Sequence, residues 1–212
     1  MFYYNNKHKS QFGDDMNNAQ GILNIAKQNN GIITSAMVVD AGFPRGSLKY
    51  LADSGRLEKV ARGVYTLPEV WEDEFVNLQS RYKKGIFSLE TALFLCDLAV
   101  RTPVKYHMTF PGTYNLTGPK KDGISCTGSK EPYYSMGVAE MTTPGGNTVR
   151  AYSAERTLCD ILKSRNHTDV QIVTDAFKRY VVRKDKNIPL LSEYAHMFRT
   201  AERLRAYLEV LL

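Results

Sequence analysis

Arg45 and Lys49 stand four residues apart, a spacing that places a guanidinium and an amine on one side of a helix. Ser47 and Tyr50 lie beside them, and Lys59 and Arg62 follow closely. These residue types suit one chemistry. An arginine near a helix start can donate two hydrogen bonds to the edge of a guanine, whereas lysines and a hairpin arginine neutralise phosphates, which fixes position without reading sequence. The expectation is a double-stranded DNA interface built from Arg45, Ser47, Lys49, Tyr50, Lys59 and Arg62. The competing reading is a helix used only for protein contact, its cations forming an ordinary solvated face.

The elements that must position these side chains are legible in Gly31–Pro68. Thr34 and Ser35 offer N-cap hydroxyls ahead of Met37, Val38 and Ala41, and Gly42 ends that short helix. Pro44 suits the first position of a second helix, because its missing N–H is not needed there. Leu48, Leu51 and Ala52 then face inward, leaving Arg45, Ser47, Lys49, Tyr50 and Asp53 outward, and Gly55 stops the helix. Leu57–Ala61 and Val64–Leu67 form two strands joined at Arg62-Gly63. Ile22, Leu23, Ile25 and Ala26 supply a preceding helix, ended by Asn29-Asn30-Gly31. The sum is a winged helix-turn-helix, whose geometry sets a helix in the major groove and a basic wing along the backbone.

Other chemistries lack their residues. Cys96, Cys126 and Cys159 are too far apart in sequence for a C-x-x-C pair or a zinc knuckle, and Cys96 and Cys159 read as small buried hydrophobes. His8, His107, His167 and His196 belong to no metal motif, so no metal and no cofactor is expected. GISCTGSK, Gly123–Lys130, is one transposition from a phosphate-binding loop: its lysine follows the serine, so it reads as a plain glycine-containing loop. Gly128-Ser129 could open a nucleotidyltransferase site, but no paired acids follow to hold two metal ions. Glu155 and Asp160 on one helix are explained by capping and by pairing with Arg156 or Lys163. No enzyme is expected.

With 43% hydrophobic and 24% charged residues, the 212-residue chain can bury a sizeable core, and a winged helix uses only a third of it. The expected organisation is a disordered tail over 1–16, with Met16 as an alternative start, a winged helix over 17–68 and an α+β domain over 69–212. Within the last, helices are expected over 70–82 (with Trp71, Phe75, Leu78 and Tyr82 inward) and from Ser88 to about Leu98, and strands over Val104–Phe110, Tyr133–Thr142 and Thr148–Tyr152. Residues 111–130 read as a loop or a loose hairpin, and from Ser153 the chain reads as helical, interrupted at Pro189. No apolar run approaches the roughly 18 residues of a membrane span, and the N-terminus lacks a signal-peptide core, so a cytoplasmic location without membrane contact is expected.

The net charge of +6 is spread along the chain: residues 1–66 carry eight Lys/Arg against five Asp/Glu, and residues 81–212 twenty against thirteen. The second domain is therefore a candidate for phosphate contact too, through Arg156, Lys163, Arg165, Lys178, Arg179, Arg183 and Lys184. The competing readings are binding of RNA, or helices merely solvated and dipole-matched by these cations.

SGRLEKVARGVYTLP (Ser54–Pro68), paired with FSLETALFLCDL (Phe87–Leu98), VKYHMTFP (Val104–Pro111) and SAERTLCDIL (Ser153–Leu162), resembles the AbiEi family of antitoxins of type IV abortive-infection toxin-antitoxin systems. The resemblance covers most of residues 17–185. It implies a bacterial protein that represses its own operon at inverted repeats in the promoter. It further implies a second domain that counteracts a nucleotidyltransferase-like toxin without a stable complex. The form expected in solution is a monomer binding DNA cooperatively. The alternative is an interaction module that binds and inhibits the toxin directly.

Overall fold

Ala19, Ile22, Leu23 and Ala26 recur at the spacing that gives a helix one apolar side, and all four are buried. They lie on α1 (Asn6–Gln28), the first element of a computed structural model that describes residues 6–69 and 73–211, with side chains from Asn17 onward. α1 begins inside the stretch expected to be a tail, and Trp71 lies outside the described residues. The chain divides into two units, residues 1–83 with 143–147, and residues 84–142 with 148–212.

In the first unit α1 is followed by β1 (Ile32–Thr34), α2 (Ser35–Asp40), α3 (Gly46–Asp53), β2 (Glu58–Ala61) and β3 (Val64–Thr66). This is the helix, strand, helix-turn-helix and hairpin order of a winged helix. Thr34 caps α2 by accepting from the Met37 N–H at 3.2 Å, and Gly42 and Gly55 take the positive φ that ends α2 and α3 respectively. The strands form an antiparallel sheet in the order β1-β3-β2, with Thr66 opposite both Ile32 and Glu58. Ile33, Val38, Leu48, Leu51 and Leu57 close over the apolar side of α1. Each such fully buried side chain contributes about 1.5–3 kcal/mol.

α4 (Glu74–Arg81) was expected to open the second domain and instead groups with the first unit. Asp73 caps it, accepting from the Phe75 and Val76 N–H groups at 3.0 and 3.4 Å. The same carboxylate accepts from the Thr143 hydroxyl and, at 2.9 Å, from Asn147 Nδ2. This bonding accounts for a buried acid and for the inclusion of 143–147 in this unit.

The second unit runs β4 (Ile86–Phe87), α5 (Leu89–Leu95), β5 (His107–Pro111), α6 (Thr117–Lys121), β6 (Ser125–Ser129), β7 (Val138–Thr142), β8 (Thr148–Tyr152), α7 (Ala154–Ile161), α8 (Val170–Val181), α9 (Ile188–Met197) and α10 (Ala201–Leu211). Its five-stranded sheet has the order β6-β5-β4-β8-β7, parallel at β5–β6 and β4–β8. Residues 111–130, expected to be a loop or a loose hairpin, contain α6 and β6, and β6 runs parallel to β5. Ser88 stands before α5 but makes no cap bond; the chain enters the helix through Leu89 at φ +48, and the Ser88 hydroxyl is buried without a partner. Pro189 opens α9 where an interruption was expected, with Asn187 accepting from the Leu190 N–H at 3.0 Å. The helices close over Leu93, Leu158, Phe177, Tyr180, Leu191 and Leu204.

Candidate nucleic-acid interface

α3 is fixed by Leu48 and Leu51, both sealed from solvent; Arg45, Lys49 and Tyr50 face outward, Tyr50 half exposed, as does the acid Asp53 at the far end of the helix. Arg45 sits at the helix entry in αR geometry, one turn before Lys49. Among the described residues, neither cation forms an ion pair. An α-helix with its side chains is about 10–12 Å across, which fits a major groove about 12 Å wide. Ser47, expected on this face, is 9% exposed: it lies one turn before Leu51 on the same inward stripe, so it is not available to a base.

The wing is held from below. Gly63, at its tip, accepts the Ser35 N–H at 2.8 Å, tying the hairpin turn to the start of α2, and a bulge between Lys59 and Ala61 bends β2. Lys59 and Arg62 are exposed on this frame. Arg56, also exposed, occupies the turn between α3 and β2. It adds a cation between helix and wing that the sequence reading passed over, although its place just after the Gly55 stop signal marks it as lying between the two.

The basic residues of the second unit separate into two kinds. Arg165, Lys178, Arg179 and Lys184 are exposed, the middle two in the last turn of α8, where they complement the helix dipole. Arg156 and Lys163, expected to contact DNA, are not surface cations. Arg156 is 3% exposed; its Nε donates to Asp160 Oδ2 at 2.9 Å and one terminal nitrogen donates to the Tyr133 and Met136 carbonyls at 2.7 Å each. Its guanidinium lies 4.2 Å from the ring centres of both Tyr152 and Phe198. Lys163 donates to Asp160 Oδ1 at 2.6 Å, and burial pushes its pKa below the usual lysine value while Asp160 opposes that shift. Arg183 is partly engaged as well, donating to Asp185 at 2.6 and 2.9 Å and to the Cys96 carbonyl at 2.6 Å. That pairing holds the Asp185 carboxyl down at about 2.

The side chains weighed for catalysis have structural occupations. Asp160 is shared by two cations, and Glu155 accepts the Tyr180 hydroxyl at 3.0 Å. Burial raises the Cys96 and Cys159 thiols to about 12, as small core side chains require. Ser125–Ser129 of the glycine-containing stretch pairs along β5 as a strand, not as a phosphate cradle. Among the described residues no group of three or more His, Cys, Asp or Glu could hold a metal ion, and no helix is long and apolar enough to cross a membrane.

No curated protein matches the chain in sequence. Among solved structures, the crystal structure of the RV2827C protein from Mycobacterium tuberculosis is similar at a TM-score of 0.45 and 12% identity, over 91% of this chain and 81% of that one. Residues 21–68, from α1 through the wing, match the family described as transcriptional regulator, AbiEi antitoxin, and over this stretch the resemblance read from the sequence is met by a family match.

Proposed function

We propose that the protein is an antitoxin that represses its own operon by binding inverted repeats in the promoter. In this reading α3 enters the major groove, Arg45 reads a guanine, and Lys49, Arg56, Lys59 and Arg62 neutralise flanking phosphates. The observation that carries the reading is the outward pair Arg45 and Lys49, held over the buried Leu48 and Leu51, in a segment that matches a regulator family. Exposed Lys178, Arg179 and Lys184 add phosphate contacts from the second unit. That unit also carries the counteraction of a nucleotidyltransferase-like toxin, without a stable complex, inside the cytoplasm.

Footprinting of the purified protein on the DNA immediately upstream of its gene tests the reading. Two protected, symmetric half-sites are expected. Co-purification of a stable complex with the toxin, without any protected DNA, would replace it with direct inhibition through protein contact.

A further inference from the structure

The second unit contains a cavity of about 890 Å³ bounded by the end of β6, the turn that follows α7, and the corner between α9 and α10. That volume falls in the range of roughly 300–1,000 Å³ that small-molecule sites occupy. Its lining is strongly cationic: Lys130, Lys163, Arg165, Arg199 and Arg203 surround it, Arg156 lies at its floor, and Glu202 is the one carboxylate among the lining residues.

These cations are not neutralised from within. Asp160 serves both Arg156 and Lys163, so the floor keeps one positive charge in excess. Arg203 gives a single N–H to the Leu162 carbonyl at 2.7 Å. Among the described residues, Lys130, Arg165 and Arg199 form no ion pair. The first turn of α10 lines the same space, and Thr200 before it donates its hydroxyl back to the Ala195 carbonyl at 3.5 Å instead of capping the helix. The positive end of the α10 dipole therefore adds to the field.

Arg199 is placed there against local preference. Its N–H bonds the His196 carbonyl at 3.2 Å, and the next N–H, of Thr200, bonds the Ala195 carbonyl at 2.8 Å, the pattern that ends a helix with a left-handed residue. That residue is usually glycine, yet here φ is +58 at an arginine. A strained backbone that carries a cation into a cavity lined by other cations fits a ligand clamp. Beside it the Tyr133 ring, tilted against Phe198 at 5.5 Å between ring centres and 44% exposed, also lines the cavity, and its exposed part is an aromatic surface against which a base can pack.

We infer that this cavity binds a nucleoside triphosphate, its phosphate chain held by Lys130, Arg165, Arg199 and Arg203 and its base against Tyr133. The chain of such a ligand carries roughly three to four negative charges at neutral pH, enough to offset the unpaired cations. The site is separate from α3, and its occupancy does not depend on how α3 is used.

Calorimetric titration of the full chain with ATP, AMP and inorganic phosphate tests the inference. ATP should bind at least tenfold more tightly than AMP, with no measurable heat from phosphate alone. Arg199→Gly should weaken ATP at least tenfold while leaving the melting temperature unchanged or higher, because glycine relieves the left-handed strain; that separates binding from folding. Arg165→Ala should weaken ATP similarly, whereas Arg45→Ala and Lys178→Ala should leave it unchanged. Absence of ATP binding at millimolar concentration, equal affinity for ATP and AMP, or indifference to both Arg199→Gly and Arg165→Ala would overturn the inference. Each of these outcomes is read without DNA, so none of them bears on operator binding.

Discussion

Arg156 donates its Nε–H to Asp160 Oδ2 at 2.9 Å, one turn further along α7, and Lys163 reaches the other oxygen of the same carboxylate at 2.6 Å. Two cations and one acid are thus buried as a unit beneath Phe198, whose ring Lys163 also covers at 3.9 Å. Removing one member of a buried charge set leaves the others uncompensated, which costs about 3–5 kcal/mol. Asp160→Ala should lower unfolding stability by that amount in denaturant titration. A loss under about 1 kcal/mol would mean that water reaches and solvates the two cations.

Gly137 lies against this cluster. Its φ is +73, and a Cβ there would stand 2.7 Å from Arg156 Cβ, an atom too close to the backbone to move aside. Gly137→Ala combines left-handed strain, about 1–3 kcal/mol, with that collision. Equilibrium unfolding should show at least this loss, and a neutral result would require the β7 entrance to shift.

His107 on β5 is partly buried, and its Nδ1 has no hydrogen-bond partner. Burial lowers its pKa below 6.5, opposed by the Glu90 charge and by a backbone hydrogen bond with Lys105, while the Lys105 charge adds a smaller lowering. Because the folded value is depressed, the contribution to stability is complete above about 6.5 and is lost as pH falls through the folded value. His107→Gln should flatten the fall in stability just below pH 6.5. An unchanged slope would assign that fall to other groups.

Cys96 and Cys159 are buried thiols raised to about 12, while Cys126 on β6 is half-buried and raised less, mainly by burial, with Lys120 opposing. A thiol reagent at pH 8 should modify Cys126 first and the other two only on unfolding. Equal rates for all three would contradict the packing of α5 and α7.

The first unit was legible in the sequence because its signals are local: the Thr34 cap, the Gly42 and Gly55 stops and the Leu48/Leu51 stripe each lie within a few residues of what they specify. Ser47 is misplaced although the local spacing marks it: it stands four residues before Leu51 and so shares the inward stripe, but its polar side chain is read ahead of its position. The second unit was harder to read because its decisive pairings are distant. Every residue of α7 is buried, so Arg156 looks like a surface cation until Tyr133, Met136 and Phe198 close around it from other elements. Ser125–Ser129 has no apolar alternation and becomes a strand only by lying parallel to β5. Arg199 and the cavity beside it depend on the corner between α9 and α10, which hydrophobic spacing does not describe.

Base reading and phosphate contact separate by substitution. Arg45→Ala should weaken operator binding by about 1–3 kcal/mol and relax preference at one base position, whereas Lys49→Ala or Arg62→Ala should weaken all sequences alike and flatten the salt dependence. Specificity profiling of each variant on a randomised site distinguishes the two effects.

The most direct test of the account is the affinity of the full chain for its upstream DNA, measured against salt concentration, with Arg45, Lys49 and Arg62 all changed to alanine. The account predicts a steep loss of affinity with salt for the unmodified protein and no sequence-specific binding by the triple variant. Specific binding that survives the three changes would contradict the assignment of α3 and the wing as the DNA-reading surface.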